Sequence, residues 1–307
     1  MIKIFLLSVA TCTLCYGQKE KCGVVIDKQT KLPISYASIY YSDNSSGTFA
    51  TEKGSFCLPE TAKKIDSVSI SALGYQKLSL SYSNFLKTEN FDLEISPINL
   101  VNVIVKGNKG KISSKEIGYA KRHLFSNGLN LNSNTRMACY VPNNDEKELI
   151  LTNIYCMMKP KENNLVSAFN IRLRLYENKE NLPSGDILQE NLIAKVPIDA
   201  KKIDFNIKKY GIKVPKNGFW IGVESVGYTD KNDVYVAIKD HQIGKYKVNN
   251  NTKTINLIER ISPMYDCMNS DKPWAYVTRW NNEWKPFSMM NAKPQTFLFG
   301  ARVEYYK

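Results

Sequence analysis

The chain has 307 residues, a formal charge of +13 and 43% hydrophobic residues, enough for two ordinary domains with sizeable apolar cores. Only two histidines are present, His123 and His241, and beyond residue 17 there is no Cys-x-x-Cys or Cys/His cluster. This pattern excludes the common zinc sites, and no metal or cofactor is expected.

At the amino terminus Lys3 precedes an apolar run from Ile4 to Ala10, and the small residues Cys15 and Gly17 suit the pockets of signal peptidase. The run falls short of the roughly 20 residues a membrane-spanning helix needs. Residues 1–17 therefore read as a signal peptide cleaved before Gln18, which places the protein in the periplasm or on the cell surface. A lipoprotein would use Cys12, but Thr11 before it is larger than the usual Gly, Ala or Ser. No later stretch is long and apolar enough to span a membrane as a helix. In an exported protein the basic charge favours anionic polysaccharide, lipid headgroups or acidic proteins over nucleic acid. The lysines are scattered, many beside Asn in turn-like segments, so a solvated surface accounts for them more simply.

An oxidising compartment permits disulfides among the five cysteines beyond the signal. Cys22 and Cys57 fall beside predicted strands of one unit. Cys139 and Cys156 lie on consecutive predicted strands of another. These are the two candidate pairs, and five buried free thiols are the alternative.

From Lys21 to Lys106 the chain reads as short strands separated by turns. Gly23 to Asp27 is a strand, and Asp27 to Pro33 a turn in which the Asp side chain can bond the backbone ahead of it. Ile34 to Tyr41 forms a half-buried strand. Thr51 to Gly54 is a tight turn before the strand Ser55 to Leu58, with Gly54 free to take positive φ. Ile65 to Ser71, Gln76 to Leu80, Phe91 to Ile95 and Leu100 to Val105 complete about seven strands, the signature of a small antiparallel sandwich.

The order of these residues resembles the carboxypeptidase regulatory-like domain. Gly23-Val24-Val25-Ile26-Asp27, Thr30, Pro33, Ala37, Gly47-Thr48, Gly54-Ser55-Phe56, Asp66, Ile70-Ser71-Ala72-Leu73-Gly74-Tyr75 and Leu100 to Val105 carry the resemblance over about 85 residues. Thr51 departs from it, standing where the family usually has Asp. The resemblance implies a transthyretin-like sandwich without catalytic residues, of a kind found in Bacteroidetes, where it often precedes an outer-membrane transporter or a peptidase. Neither follows here. About 200 residues remain without long runs of membrane strands, and His123 and His241 cannot supply a peptidase metal set.

Residues 107–127 read as a basic, Gly-containing linker with a short helix from Lys115 to Phe125, capped by Ser113 or Ser114. His123 inside it is read as a surface or packing residue. Residues 128–307 resume strand rhythm. Arg136 to Val141, Leu149 to Met157, Ala168 to Tyr176, Ile187 to Val196, Ile203 to Ile207, Gly218 to Glu224, Tyr276 to Trp280, Trp284 to Phe287 and Thr296 to Tyr306 are predicted strands. Glu177 to Asp186 reads as a loop. The expected fold class is all-β: a seven-stranded transthyretin-like sandwich of residues 18–106, then a larger jelly-roll-like sandwich. The second unit is similar to an uncharacterised domain that follows the regulatory-like domain in exported Bacteroidetes proteins.

Candidate ligand residues lie in this second unit. Phe169, Ile171, Leu173 and Leu175 alternate with Asn170, Arg172, Arg174 and Tyr176, which predicts a basic outer face. Arg172 and Arg174 can grip a carboxylate or sulfate, or else pair with acidic neighbours across strands. Trp274, Trp280 and Trp284 can form a platform for sugar rings, with Trp280 opposite Trp284 over the loop Asn281-Asn282-Glu283. A cross-strand aromatic pair sealing the sandwich is the alternative. Trp220 reads as core. No catalytic residue is assigned, although Glu224 and Asp266 are candidate carboxylates for a polysaccharide hydrolase. The leading expectation is a non-enzymatic envelope protein that binds a glycan or a protein. The rivals are that hydrolase and a structural partner of an outer-membrane complex.

Overall fold

The computed structural model describes residues 19–96, 110–119, 126–131, 135–161, 166–188, 190–237, 247–249, 252–254, 262–267, 275–278, 283–287 and 295–307. The expected signal segment, the strand expected at Leu100 to Val105, and His123 and His241 lie outside the described residues.

The first unit is a sandwich of seven strands: β1 (Glu20–Asp27), β2 (Ser38–Tyr41), β3 (Gly47–Phe49), β4 (Ser55–Pro59), β5 (Ser67–Ser71), β6 (Leu78–Ser81) and β7 (Asn90–Leu93). One sheet has the order β4-β1-β7 and the other β3-β2-β5-β6. Val25, Ile39, Leu58, Val68, Ile70 and Phe91 meet between the sheets, all essentially buried. Helix α1 (Tyr82–Lys87), which the sequence reading did not anticipate, follows β6. Ser81 caps it by accepting from the Asn84 amide, and Phe85 plugs the core against Phe56 and Phe91.

Two turns explain why the recognised motifs recur together. Asp27 Oδ1 accepts from the amides of Gln29 and Thr30, while the Tyr75 hydroxyl donates to Asp27 Oδ2 at 3.1 Å. The Leu-Gly-Tyr segment is thus tied to the first turn, 48 residues away. Gly54 sits at φ 73°, and a Cβ there would come within 2.7 Å of the Val25 carbonyl. Thr51 compensates for the missing Asp through a 2.7 Å contact between its hydroxyl and that of Ser55.

The second unit contains β8 (Ile112–Gly118), β9 (Asn127–Gly128), β10 (Arg136–Val141), β11 (Ile150–Lys159), β12 (Val166–Lys179), β13 (Leu182–Asp186), β14 (Leu192–Pro197) and β15 (Lys202–Asn206). It continues with β16 (Phe219–Asp230), β17 (Tyr235–Ala237), β18 (Lys247–Asn249), β19 (Thr252–Thr254), β20 (Ser262–Cys267), β21 (Ala275–Thr278), β22 (Lys285–Pro286), β23 (Gln295–Phe297) and β24 (Phe299–Tyr306). The eight-stranded sheet runs β13-β12-β16-β10-β21-β22, with β14 on β12 and β17 on β16. The seven-stranded sheet runs β23-β20-β11-β24-β8, with β15 on β11 and β9 on β20. Ile171, Leu173, Leu175, Ile221 and Val223 of the first meet Leu151, Ile154, Phe299 and Val303 of the second in one buried core. The chain is all-β, as its alternating pattern predicts.

Two local readings need correction. Residues 112–118 are strand, not the start of a helix, because the edge of β24 offers them a full antiparallel ladder from Gly300↔Gly118 to Tyr306↔Ile112. The second unit therefore begins inside the expected linker. The supposed loop 177–186 is a tight hairpin, in which Glu180 and Asn181 both take positive φ and connect β12 directly to β13. In the β21–β22 pair Tyr276 faces Pro286 and Val277 faces Lys285, and Trp280, expected opposite Trp284, lies outside the described residues.

Cys22 and Cys57 are direct partners in the β1–β4 ladder and are joined by a disulfide on the sandwich's outer side. Cys139 and Cys156 are free and buried, which corrects the second expected pair. Their strands, β10 and β11, are consecutive in the chain but belong to different sheets. The Cys139 thiol is instead within 3.0 Å of the Thr296 hydroxyl and donates to the Phe297 carbonyl at 3.3 Å. Burial pushes the Cys139 thiol up to about 12 and that of Cys156 well above its ordinary value. Both are protonated at neutral pH, so iodoacetamide at pH 8 is expected to leave them unmodified in the native protein and to label them in urea, as read by peptide mapping. Replacing Cys22 and Cys57 together by Ser is expected to cost about 2–4 kcal/mol in a urea melt, because the unfolded chain regains loop entropy.

Candidate functional site

The polar side of the eight-stranded sheet gathers the charged residues of the second unit. On β12 the residues 169, 171, 173 and 175 face the core, so Arg172, Arg174 and Tyr176 face outward. On β16 the outward residues are Trp220, Gly222 and Glu224. On β10 they are Arg136, Ala138 and Tyr140. The ladder sets Arg136, Glu224 and Arg172 side by side in one row across three strands.

Glu224 is the centre of an ion network. Arg172 Nε donates to Oε1 at 2.7 Å, Arg136 Nε to Oε2 at 2.9 Å, and Arg174 Nη1 to Oε1 at 3.3 Å. Arg174 also forms a bidentate pair with Asp186, through Nε at 2.7 Å and through Nη2. Arg172 and Glu224 are 1% and 2% exposed, so solvent does little to screen their attraction. Burial alone would raise the Glu224 carboxyl. The three guanidiniums outweigh burial and hold it far below the usual carboxylate range.

The expected basic face is therefore not free for a ligand. Arg172 and Arg174 are occupied by Glu224 and Asp186, the cross-strand pairing that was the alternative. Sequence reading singled out these arginines and Glu224 separately. It missed Arg136 and Asp186, because which residues stand opposite one another depends on register. The hydrolase pair also fails to assemble: Asp266 lies on β20 of the other sheet, accepting from the Ser126 hydroxyl at 3.3 Å.

Beside the ion network the same face is aromatic. Trp220 is buried here rather than in the inter-sheet core. It packs against Tyr140 and, edge-on, against Tyr276, and its indole N–H donates to Asn178 Oδ1. Tyr176 meets Trp284 edge-on with ring centroids 5.4 Å apart, and burial pushes the Tyr176 phenol up to about 12. Its hydroxyl is buried without a hydrogen-bond partner. Tyr140, Tyr276 and Trp284 are partly exposed and form the accessible rim. Trp274 and Trp280 lie outside the described residues.

A separate cleft of about 280 Å³ is lined by residues including Lys115, Tyr119, Asn143 and Asp145. Among the described residues, Glu20, Cys22 and Cys57 are the one group whose ligating atoms are close enough for a metal, and the disulfide occupies both sulfurs.

The model of the CarboxypepD_reg-like domain family matches residues 22–105. Those residues are a CarboxypepD_reg-like domain. No curated protein matches the chain. Solved structures similar to it include the following two. One is a clostridial cysteine protease, Cwp84, after propeptide cleavage, with 12% identity and a TM-score of 0.39, covering 87% of this chain and 54% of that one. The other holds the cysteine protease and lectin-like domains of Cwp84, a surface layer associated protein of Clostridium difficile, with 12% identity and a TM-score of 0.34, covering 87% and 48%. The chain spans about half the length of each. Likeness at that level carries no argument about activity. The regulatory-like domain touches the polar face directly: Arg172 Nη1 donates to the Tyr36 carbonyl at 2.8 Å and to Asn191 Oδ1 at 3.1 Å, and Asn191 Nδ2 donates to the Ser35 carbonyl at 3.1 Å.

Glu224→Gln removes the charge that three guanidiniums share and leaves them buried without a full counter-ion. A loss of about 3–5 kcal/mol is expected in denaturant unfolding at pH 7. The sign with pH follows from the depressed carboxyl. Its stabilisation is complete above the unfolded-state pKa and fades only as pH falls toward the much lower folded value, so the wild-type advantage over Glu224→Gln should shrink in acid.

Proposed function

We propose that the protein is a non-catalytic binding module of the bacterial cell envelope, exported to the periplasm or cell surface, whose ligand face is the aromatic rim of the second sandwich. The observation that carries the non-catalytic reading is the state of Glu224. A carboxylate held ionised by three arginines is a poor general acid, and it has no second carboxylate facing it on its own sheet among the described residues other than Asp186, which is itself paired with Arg174. The rim supports a glycan as ligand. Tyr140, Tyr276 and Trp284 offer apolar ring surface with polar edges. Trp284 and Tyr276 each meet a buried ring edge-on, those of Tyr176 and Trp220, and Tyr140 is tilted against Trp220, so the buried rings hold the rim in place. The regulatory-like domain brings no catalytic residues to this reading, and a Bacteroidetes source is consistent with it.

The test is a glycan array and an envelope pull-down with the purified protein and Trp284→Ala. A glycan ligand whose binding falls at least about tenfold in the variant supports the proposal. Binding indifferent to Trp284, or release of cleaved sugar from any bound glycan, defeats it.

A further inference from the structure

Among the described residues, the guanidiniums of Arg136, Arg172 and Arg174 gather around the carboxylates of Glu224 and Asp186. Arg172 is 1% exposed and cannot turn to water. The first sandwich covers it. The Tyr36 carbonyl accepts from Nη1, and the Phe49 ring lies 5.3 Å from the guanidinium carbon, an arrangement that stabilises a cation by its quadrupole.

Independent contacts surround this point. Tyr40 and Phe49 of the first sandwich form a buried apolar cluster with Val226 of β16, and Tyr36 and Ile193 pack against it. The Tyr36 ring meets that of Tyr235 edge-on at 5.9 Å. Tyr235 is held in turn by its hydroxyl, which donates to the Val226 carbonyl, and by Gly227, where a Cβ would come within 2.4 Å of its ring. Leu73 of the recognised Leu-Gly-Tyr segment packs on the core of the second sandwich. Finally, Tyr36 has φ 57°, a left-handed backbone that a bulky residue keeps only where its surroundings hold it. That conformation sits at the residue whose carbonyl meets Arg172 and whose ring meets Tyr235.

We propose that the regulatory-like domain is an integral cap of the second sandwich, docked on the face formed by β12, β14, β16 and β17, so that the two sandwiches unfold as one cooperative unit. Domains joined by a small, wet interface move independently by default. Here separation would strip a buried guanidinium of a charge-assisted acceptor and expose an apolar cluster together. The hydrogen bonds on the cap are accepted by backbone, the carbonyls of Ser35 and Tyr36. The polar part of recognition therefore depends on the shape of that turn, and the apolar part on the Tyr36, Tyr40 and Phe49 side chains. The proposal is independent of what the protein binds.

Calorimetry and hydrogen exchange on the purified full chain test it, with the variants Tyr235→Ser and Arg172→Met. The wild type is expected to show one transition, with the amides of β2 and β16 opening together. In either variant two transitions should separate, and β2 amides should exchange at least about tenfold faster than those of β16. Tyr235→Ser leaves the arginine network intact, so it decides the matter even where Arg172→Met fails to fold. Two transitions in the wild type, or a single unshifted transition with unchanged exchange in Tyr235→Ser, would overturn the proposal.

Discussion

Glu224 is the constraint on which the second sandwich turns. Burying one carboxylate among three guanidiniums is costly, and attraction in a low dielectric repays that cost only when every partner stands in place. The partners come from β10, β12 and β16, the three central strands of the sheet. A slip of one residue in any of them would move its arginine or glutamate to the apolar side, between the sheets. The network therefore acts on register as much as on stability. The aliphatic alternation of β12 is satisfied by any even shift, while the row Arg136–Glu224–Arg172 is satisfied by one.

The same network shapes how the two sandwiches relate. A basic outer face invites the idea of an anionic ligand. Here the arginines serve the molecule itself: two carboxylates, two backbone carbonyls of the first sandwich and one phenylalanine ring surround them directly or through Asn191, and among the described residues Arg172 Nη2 is left buried without a hydrogen-bond partner. What remains for a partner is the aromatic end of the face, where Tyr140, Tyr276 and Trp284 keep part of their surface in solvent.

The cysteines divide in a similar way between exterior and interior. Cys22 and Cys57 face one another across a ladder on the outer side of a small sandwich, which a covalent link stabilises most where the core is small. Cys139 and Cys156 serve the large core as compact apolar groups, and Cys139 spends its thiol proton on a carbonyl across the sandwich.

By itself the sequence determined what depends on local period and local turn chemistry. The all-β class follows from two-residue alternation, as at Phe169 to Leu175. The first sandwich follows from a chain of turn residues, Asp27, Gly54 and Gly74-Tyr75, each of which bends the backbone for reasons within a few residues of itself. The tertiary structure decided everything that depends on which strands become neighbours. It made residues 112–118 a strand because β24 had a free edge, and it separated Cys139 from Cys156 because successive strands joined different sheets. It turned Arg172 from a ligand-facing residue into a buried partner of Glu224, 52 positions away, and of Tyr36, 136 positions away. Those distances along the chain are the physical reason: hydrogen bonds and ion pairs act over a few ångströms, and only folding fixes which residues come that close.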